Sequence, residues 1–261
     1  MSTVLELKNA TKRIDNGLNE TKVILDHVNL SIAQGEFITV LGGNGAGKST
    51  LFNSIAGTLS LSEGELFVNE QNITHFSEEK RAKYFSRVFQ DPKMGTAPRM
   101  TVAENLLLAM YRGQSRGLRL RKINEQRDFF TKICSEIGNG LEKHLDTPTG
   151  NLSGGQRQAL SLLMATLTKP ELLLLDEHTA ALDPKTSKQL MRLTDQRIQE
   201  ADLTCLMITH RMEDALRYGN RLIVLQKGKI IKDLNKAEKE KLTLQDLLLF
   251  FEEEQEEIAL D

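Results

Sequence analysis

Apolar positions along the chain follow two alternating rhythms. Near the start they recur with period two: Val4, Leu5 and Leu7 open one strand, and Val23, Ile24, Leu25, Val28, Leu30 and Ile32 trace another. Asn16-Gly17 between them is a hairpin-turn signal. Gln34-Gly35 turns the chain into a short buried strand, Phe37 to Leu41, and Leu51 to Ala56 then reads as a helix. Ser62-Glu63-Gly64 leads into a strand at Glu65 to Val68. A polar helix is expected from Ser77 to Tyr84, with Ser77 as cap and Lys80 and Arg81 on its exposed side. Phe85 to Phe89 alternates as a strand and ends at the loop signal Gln90-Asp91-Pro92.

Strands disappear between Met94 and Thr149. Thr101 and Glu104 have the spacing of a capping box, opening a helix with Leu106, Leu107, Leu108 and Met110. A second helical pattern spans Ile123 to Ile137, with Phe129, Phe130 and Ile133 apolar. Helices between two strand-bearing halves imply an inserted helical lobe, about 94–168, with Pro148 and Gly150 marking its return. From Leu152 the sequence predicts a helix, a strand at Leu172 to Leu175, a helix after Pro184, a strand from Thr204 to Thr209, a short helix and a strand from Leu222 to Leu225. Lys227-Gly228 then turns into Lys229-Ile230-Ile231. Strands alternating with helices predict an α/β fold with a parallel sheet covered on both faces. The main domain is placed at 1–232 and a helical acidic tail at 233–261, with the charge-rich segment Asn235 to Lys241 as the linker. The tail ends in Glu252 to Glu257, and the Phe250-Phe251 pair before it implies that part of it packs.

Composition narrows the picture only modestly. Of 261 residues, 39% are hydrophobic and 27% charged, enough for a core and a solvated exterior. The net charge of −2 gives no global attraction to nucleic acid or to an anionic membrane, so no nucleic-acid partner is expected. Cys134 and Cys205 have no metal-ligand or redox spacing and read as packed thiols. Met1 to Lys8 lacks the basic and apolar regions of a secretory signal, and no apolar run approaches the ~20 residues of a membrane helix. The expectation is a cytoplasmic protein.

Candidate chemistry changes the picture far more. The strand Phe37 to Leu41 runs into Gly42, Gly43, Asn44, Gly45, Ala46, Gly47, Lys48, Ser49 and Thr50, followed by a helix. Strand, Gly-rich turn and helix is the context in which this spacing makes a phosphate-binding loop. Glycines let backbone N–H groups converge on phosphate oxygens, and the helix start adds its dipole. Lys48 supplies a mobile charge for the β- and γ-phosphates, and the Ser49 hydroxyl suits Mg²⁺. The buried strand Leu172 to Leu175 ends in Asp176 and Glu177, where a parallel sheet places its ligand sites. Asp176 suits Mg²⁺ through a water, and Glu177 suits activation of an attacking water. Ser153-Gly154-Gly155-Gln156 presents a second helix start able to meet an anion. Two such ends in one chain serve a single nucleotide only if two chains meet head to tail.

These motifs, with Gln90 after its strand, Ala181-Leu182-Asp183 and Thr209-His210, resemble in order and spacing the ATP-binding cassette of ABC transporters over about residues 3–232. The resemblance implies a P-loop NTPase with a RecA-like core, an antiparallel β lobe and an inserted helical lobe. It also implies ATP and Mg²⁺ as ligands and a head-to-tail dimer of cassettes. Carried over, Lys48 holds phosphates, and Ser49, Gln90 and Asp176 attend Mg²⁺. Glu177 polarises the water, and His210 contacts the γ-phosphate. Ser153, Gly154, Gly155 and Gln156 reach the partner copy's nucleotide, and Asp183 lies in the loop linking the two sites.

The wording of the motifs is similar to cassettes of bacterial importers, within a group that imports aromatic amino acids or related small solutes. The implied protein is therefore an ATPase, peripheral to the cytoplasmic face of the membrane. It would power uptake through separate permease subunits, with an extracytoplasmic solute-binding protein as a further partner. The alternative is a cassette driving an export or non-transport assembly. The family docks its membrane partner after Gln90, which points to the lobe around Met94 to Met110. Two positions depart from the family: Ile14 stands where an aromatic usually stacks on adenine, and His178 stands where proline usually follows the carboxylates. His178 is read as a loop variant, His27, His75 and His144 as structural, and the basic stretch Arg112 to Arg127 as a solvated helix face.

Overall fold

The computed structural model describes residues 2–15, 21–114 and 122–250. The order begins β1 (Thr3–Asp15), β2 (Thr21–Ala33), β3 (Phe37–Leu41), α1 (Lys48–Ala56), β4 (Glu63–Val68), β5 (Gln71–Asn72) and α2 (Glu78–Arg81). It continues with β6 (Phe85–Val88), α3 (Val102–Met110), α4 (Arg127–Ser135), α5 (Gly154–Thr166), β7 (Leu172–Asp176) and α6 (Pro184–Glu200). Then come β8 (Cys205–Ile208), α7 (Met212–Arg217), β9 (Arg221–Gln226), β10 (Lys229–Leu234), α8 (Lys236–Lys239) and a helical stretch at 244–250. The chain forms two compact units, Met1–Arg81 with Thr204–Asp261, and Ala82–Leu203.

The first unit holds an antiparallel sheet in the order β2-β1-β4-β5. Its other sheet segment runs β10-β9-β3-β8. There β3 is parallel to both β8 and β9, and β10 closes an antiparallel hairpin. All five residues of β3 are buried, which suits a central strand flanked on both sides. The expected hairpin at Asn16-Gly17 lies outside the described residues.

Two charged stretches that read as exposed are structural instead. The expected helix from Ser77 to Tyr84 is only Glu78–Arg81, and Arg81 is 3% exposed rather than solvated. Its guanidinium donates to the carbonyls of Ser54 and Ile55 at 2.6 and 2.9 Å, closing the C-terminal end of α1, and to those of Thr74 and Phe76. A fork of five donors answers carbonyls that a helix end leaves without partners. Asn235 to Lys241 is likewise not a linker. Asn235 and Glu238 form a capping box for α8, and buried Lys239 donates to the carbonyls of Tyr218 and Gly219. Beyond it Leu247 joins Leu41, Ala215 and Leu222 in one apolar cluster, with Phe250 packed against it. Phe251 and the acidic run Glu252 to Glu257 lie outside the described residues.

In the second unit β6 and β7 pair in parallel, from Phe85 opposite Leu172 to Val88 opposite Leu175. The helical lobe packs α3, α4 and α5 around Leu106, Phe130, Ile133, Leu141, Leu160 and Leu163. Thr101 and Glu104 form the expected capping box at α3. The expected helix from Ile123 to Ile137 is a 3₁₀ turn, Ile123–Gln126, followed by α4. Fully buried Asn105 ties down the preceding loop, accepting from Ala97 N–H and donating to the carbonyls of Ala97, Met100 and Thr101. Arg112 departs from the solvated face expected of it. It donates to the carbonyls of Ala165 and Thr168 just at and beyond the end of α5. Arg116, Arg119 and Arg121 lie outside the described residues.

His178 is 2% exposed, and its Nε2 lies 3.0 Å from the Thr194 hydroxyl on α6. That hydroxyl donates to the Leu190 carbonyl at 2.8 Å, so its oxygen accepts and Nε2 carries the proton. Burial lowers the imidazole's pKa to about 4. Because the unfolded chain takes up a proton near pH 6.5 and the folded one only near 4, the contribution to stability is complete above pH 6.5. It falls away as pH drops toward 4, by up to about 3 kcal/mol. Urea unfolding across this range should show a steeper loss for the parent than for His178→Gln. Equal slopes would refute the assignment.

Candidate nucleotide-binding site

The phosphate loop is built by close approach. A side chain at Gly42 would run into the carbonyl of Leu225 on β9, and one at Gly47 would lie 2.8 Å from the Ile24 carbonyl. Gly47 also holds φ at 103°, in the left-handed region where glycine is favoured. The loop is braced by Gly228 N–H donating to the Ala46 carbonyl at 3.0 Å. Helix α1 starts at Lys48 with no side-chain cap and no acidic residue in its first turn. Its positive end is thus left for an anion. The Lys48 ammonium, 8% exposed, reaches back to the carbonyls of Gly42 and Gly43 at 2.7 and 2.9 Å, with Ser49 exposed beside it.

His210 shares this edge of the first unit. Strand β8 runs parallel to β3, with Val40 opposite Ile208. The turn after β8 and the loop after β3 therefore leave the sheet at the same ends. Thr209 N–H donates to the Val40 carbonyl at 3.2 Å, and its hydroxyl accepts from Arg211 N–H at 3.0 Å. This fixes the turn while His210 stays exposed. Ile14 lies 43% exposed near the end of β1.

In the second unit the parallel pair β6 and β7 does the same for another set of groups. Gln90 follows β6 and is exposed; Asp176 ends β7, and Glu177 follows it. The four leucines of β7 are buried, which anchors the carboxylates at the strand's end. Asp176 accepts from the Arg87 guanidinium at 2.5 Å. Glu177 holds φ at 45°, a left-handed conformation costing a non-glycine residue about 1 kcal/mol. Asp183 has a structural role that its motif alone did not imply. As N-cap of α6 it accepts from the N–H groups of Lys185 and Thr186, both at 3.1 Å. A bond from the Thr186 side chain first, and these N–H groups after it, hold its carboxyl below the usual range.

Ser153 caps α5 as expected, and a reciprocal pair with Gln156 completes the box at 3.2 Å each way. Ser153 and Gly154 remain exposed. Gly155 has a packing reason beyond freeing its N–H: a Cβ there would meet the Thr186 methyl at 2.7 Å. Two functional features escaped the reading of residues, the Arg87 pair with Asp176 and the capping role of Asp183. The second was legible in Asp183-Pro184, a cap followed by proline at the first helical position.

The ABC transporter family profile matches residues 25–180, more than half of the chain. A tyrosine transport ATP-binding protein of Clostridioides difficile is 45% identical, covering 95% of this chain and 99% of that protein. A phosphonates import ATP-binding protein of Oceanobacillus iheyensis is 33% identical over 88% of this chain and 90% of its own. A spermidine/putrescine import ATP-binding protein of Haemophilus ducreyi is 35% identical over 88% of this chain, which spans 58% of that longer protein. Among solved structures, a dimeric post-hydrolysis ATP-binding cassette bound to ADP and Pi superposes with a TM-score of 0.75 at 29% identity, covering 89% of this chain and 98% of that one. A second cassette, in its ADP conformation, gives 0.72 at 27% identity, covering 92% and 94%. With a phosphate loop on an uncapped helix and a carboxylate pair on a buried parallel strand, the chain belongs to the ABC transporter family, as an ATP-hydrolysing cassette subunit of the importer type.

Proposed function

We propose that this subunit hydrolyses MgATP to power uptake of an aromatic amino acid or a closely related small solute. It would act as a head-to-tail dimer on the cytoplasmic face of a separate membrane permease. The observation that carries the ATPase reading is α1, whose N-terminus is uncapped and free of acidic side chains and whose first residue folds its ammonium over the loop carbonyls. The cargo reading rests on the relative named for tyrosine transport, which matches essentially end to end. An extracytoplasmic solute-binding protein completes the proposed importer, and no nucleic acid takes part. Among the described residues no helix is long and apolar enough to cross a membrane, in keeping with a separate permease.

Oxygen donors from Ser49, Gln90 and Asp176 fit Mg²⁺, a hard cation that keeps waters and substrate phosphates among its ligands. No cluster of three or more acidic, His or Cys side chains is found among the described residues, which suits a metal brought by the nucleotide rather than a protein cage. Bound Mg²⁺ would neutralise charge on the phosphates. Lys48 would hold the β- and γ-phosphates, Glu177 would accept a proton from the attacking water, and His210 would contact the γ-phosphate. Ser153, Gly154, Gly155 and Gln156 would face the nucleotide of the second copy. Asp183, bound to α6, would lie in the loop linking the two sites. Met94, 69% exposed just beyond Gln90, marks the face proposed to meet the permease.

Lys48→Ala should weaken ATP binding by roughly tenfold to a hundredfold, the loss expected for charge-assisted bonds to phosphate. Calorimetry showing unchanged affinity would refute the phosphate-loop role. Glu177→Gln should keep ATP binding while lowering turnover by about a hundredfold or more. Parental turnover would refute its role. A tagged Glu177→Gln chain, purified from native membranes with ATP, should bring down a polytopic permease and a solute-binding protein that binds aromatic amino acids. A permease without a binding protein would favour export, and soluble partners alone would favour a non-transport assembly.

A further inference from the structure

We propose that Arg87 is a resident counter-charge on Asp176, displaced when the metal of the nucleotide arrives, so that this one side chain sets how much Mg²⁺ the subunit requires. The inference rests on the reading of Asp176 as the metal's carboxylate. Arg87 sits on β6 directly opposite Leu174 of β7, two residues before Asp176. Its guanidinium donates to the Asp176 Oδ2 at 2.5 Å, and both side chains are only 14% exposed. An arginine carries its charge at every accessible pH, so the partnership cannot be relieved by deprotonation. A guanidinium and a divalent cation compete for the same carboxylate, and two positive charges within a few ångströms in a half-buried site repel strongly. Loading the metal therefore requires Arg87 to give up this bond.

The structure also provides somewhere for it to go. The Arg87 guanidinium carbon lies 4.7 Å from the ring centroid of Phe89, close enough for a cation–π contact that survives loss of the carboxylate. Arg87 already borders a cavity of about 290 Å³ lined also by Phe89, Leu108, Ser161 and Met164, and by Arg112, whose charge is taken up by the carbonyls of Ala165 and Thr168. That space is the room assigned to the side chain when it leaves Asp176. Phe89 immediately precedes Gln90, the second proposed metal group. The departure is a change of partners, with no covalent step.

Manganese binding to the full chain in the presence of a non-hydrolysable ATP analogue, read from free Mn²⁺ by electron paramagnetic resonance, tests this without turnover. Arg87→Met, which keeps length and packing but removes charge, should lower the Mn²⁺ concentration at half-saturation by roughly tenfold, equal to about 1.4 kcal/mol. Arg87→Gln should act in the same direction and serves if the Met variant does not fold; Arg87→Lys should return toward the parental value. A purely structural arginine would lower the melting temperature and leave half-saturation in place. Asp176→Asn alone should raise half-saturation, and Arg87→Met should add nothing in that background. If Asp176→Asn has no effect, the reading of Asp176 fails. If Asp176→Asn raises it but Arg87→Met leaves it unchanged or higher, the counter-charge proposal is overturned and the metal reading stands.

Discussion

Every helix ends with backbone groups that the helix itself cannot satisfy, and this fold is largely an answer to that constraint. The C-terminal carbonyls of α1 receive Arg81, and those near the end of α5 receive Arg112, two guanidiniums drawn from other segments and held in place by it. The N-termini of α3, α5, α6 and α8 are each closed by a side chain, from Thr101, Ser153, Asp183 and Asn235. Helices α1, α4 and α7 lack such a closure, but α4 and α7 carry acidic residues in their first turns and α1 carries none. Its N–H groups and dipole are left without a protein side chain where the loop carries glycines and a lysine. The open end is the natural seat of a phosphate, because any other buried helix start would carry the cost of unsatisfied donors.

Helix α5 makes an instructive contrast. Its start is exposed and glycine-bearing, yet the Ser153 hydroxyl and Gln156 amide already satisfy one N–H each. That end is closed by side chains of its own, whereas the start of α1 is not. A helix start that is self-sufficient in the monomer, and exposed, suits a contact formed and broken with each cycle between two copies. Parallel strands do the rest of the gathering. Strands β3 and β8 deliver Lys48, Ser49 and His210 at one pair of ends, and β6 and β7 deliver Gln90, Asp176 and Glu177 at another. Neighbouring parallel strands that start in register also end together, so residues far apart in the chain meet without any specific bond between them.

The motifs were legible because each rests on local rules: glycines at tight approaches, a cap three residues before its partner, a leucine strand ending in carboxylates. The parallel core and the helical lobe followed from the two hydrophobic rhythms. Charge was the misleading signal. Arg81, Arg112 and Lys239 sit in polar stretches and read as solvated, but each spends its charge on backbone carbonyls supplied by segments remote in sequence or across a turn. No local pattern names those carbonyls, since which helix end or turn comes near is decided by tertiary packing. Arg87 carries no local signal for the same reason: strand alternation places it, but only the register of β6 against β7 puts it beside Asp176. The segment after β10 failed as a linker because its capping box and one buried lysine escaped notice among the surrounding charges.

The loop after β7 shows how one departure from the family pattern is accommodated. A proline after the carboxylate pair would limit the backbone by its ring; this chain has a histidine and a left-handed Glu177 instead. His178 is anchored by its Nε2 to Thr194 in the third turn of α6, and Asp183 is bound to the first turn of the same helix. Between these anchors Ala180 N–H donates to the Glu177 carbonyl and Leu182 N–H to that of Thr179, so the segment is a chain of tight turns with few free torsions. The hydrogen-bonded imidazole thus does by side-chain contact what a ring would do by covalent constraint. It also ties Glu177 to the element that carries Asp183. The left-handed Glu177 thus opens a segment that α6 holds at His178 and again at Asp183. Holding the backbone on both sides of this turn narrows the positions open to the Glu177 side chain, whose proposed role is to orient a water.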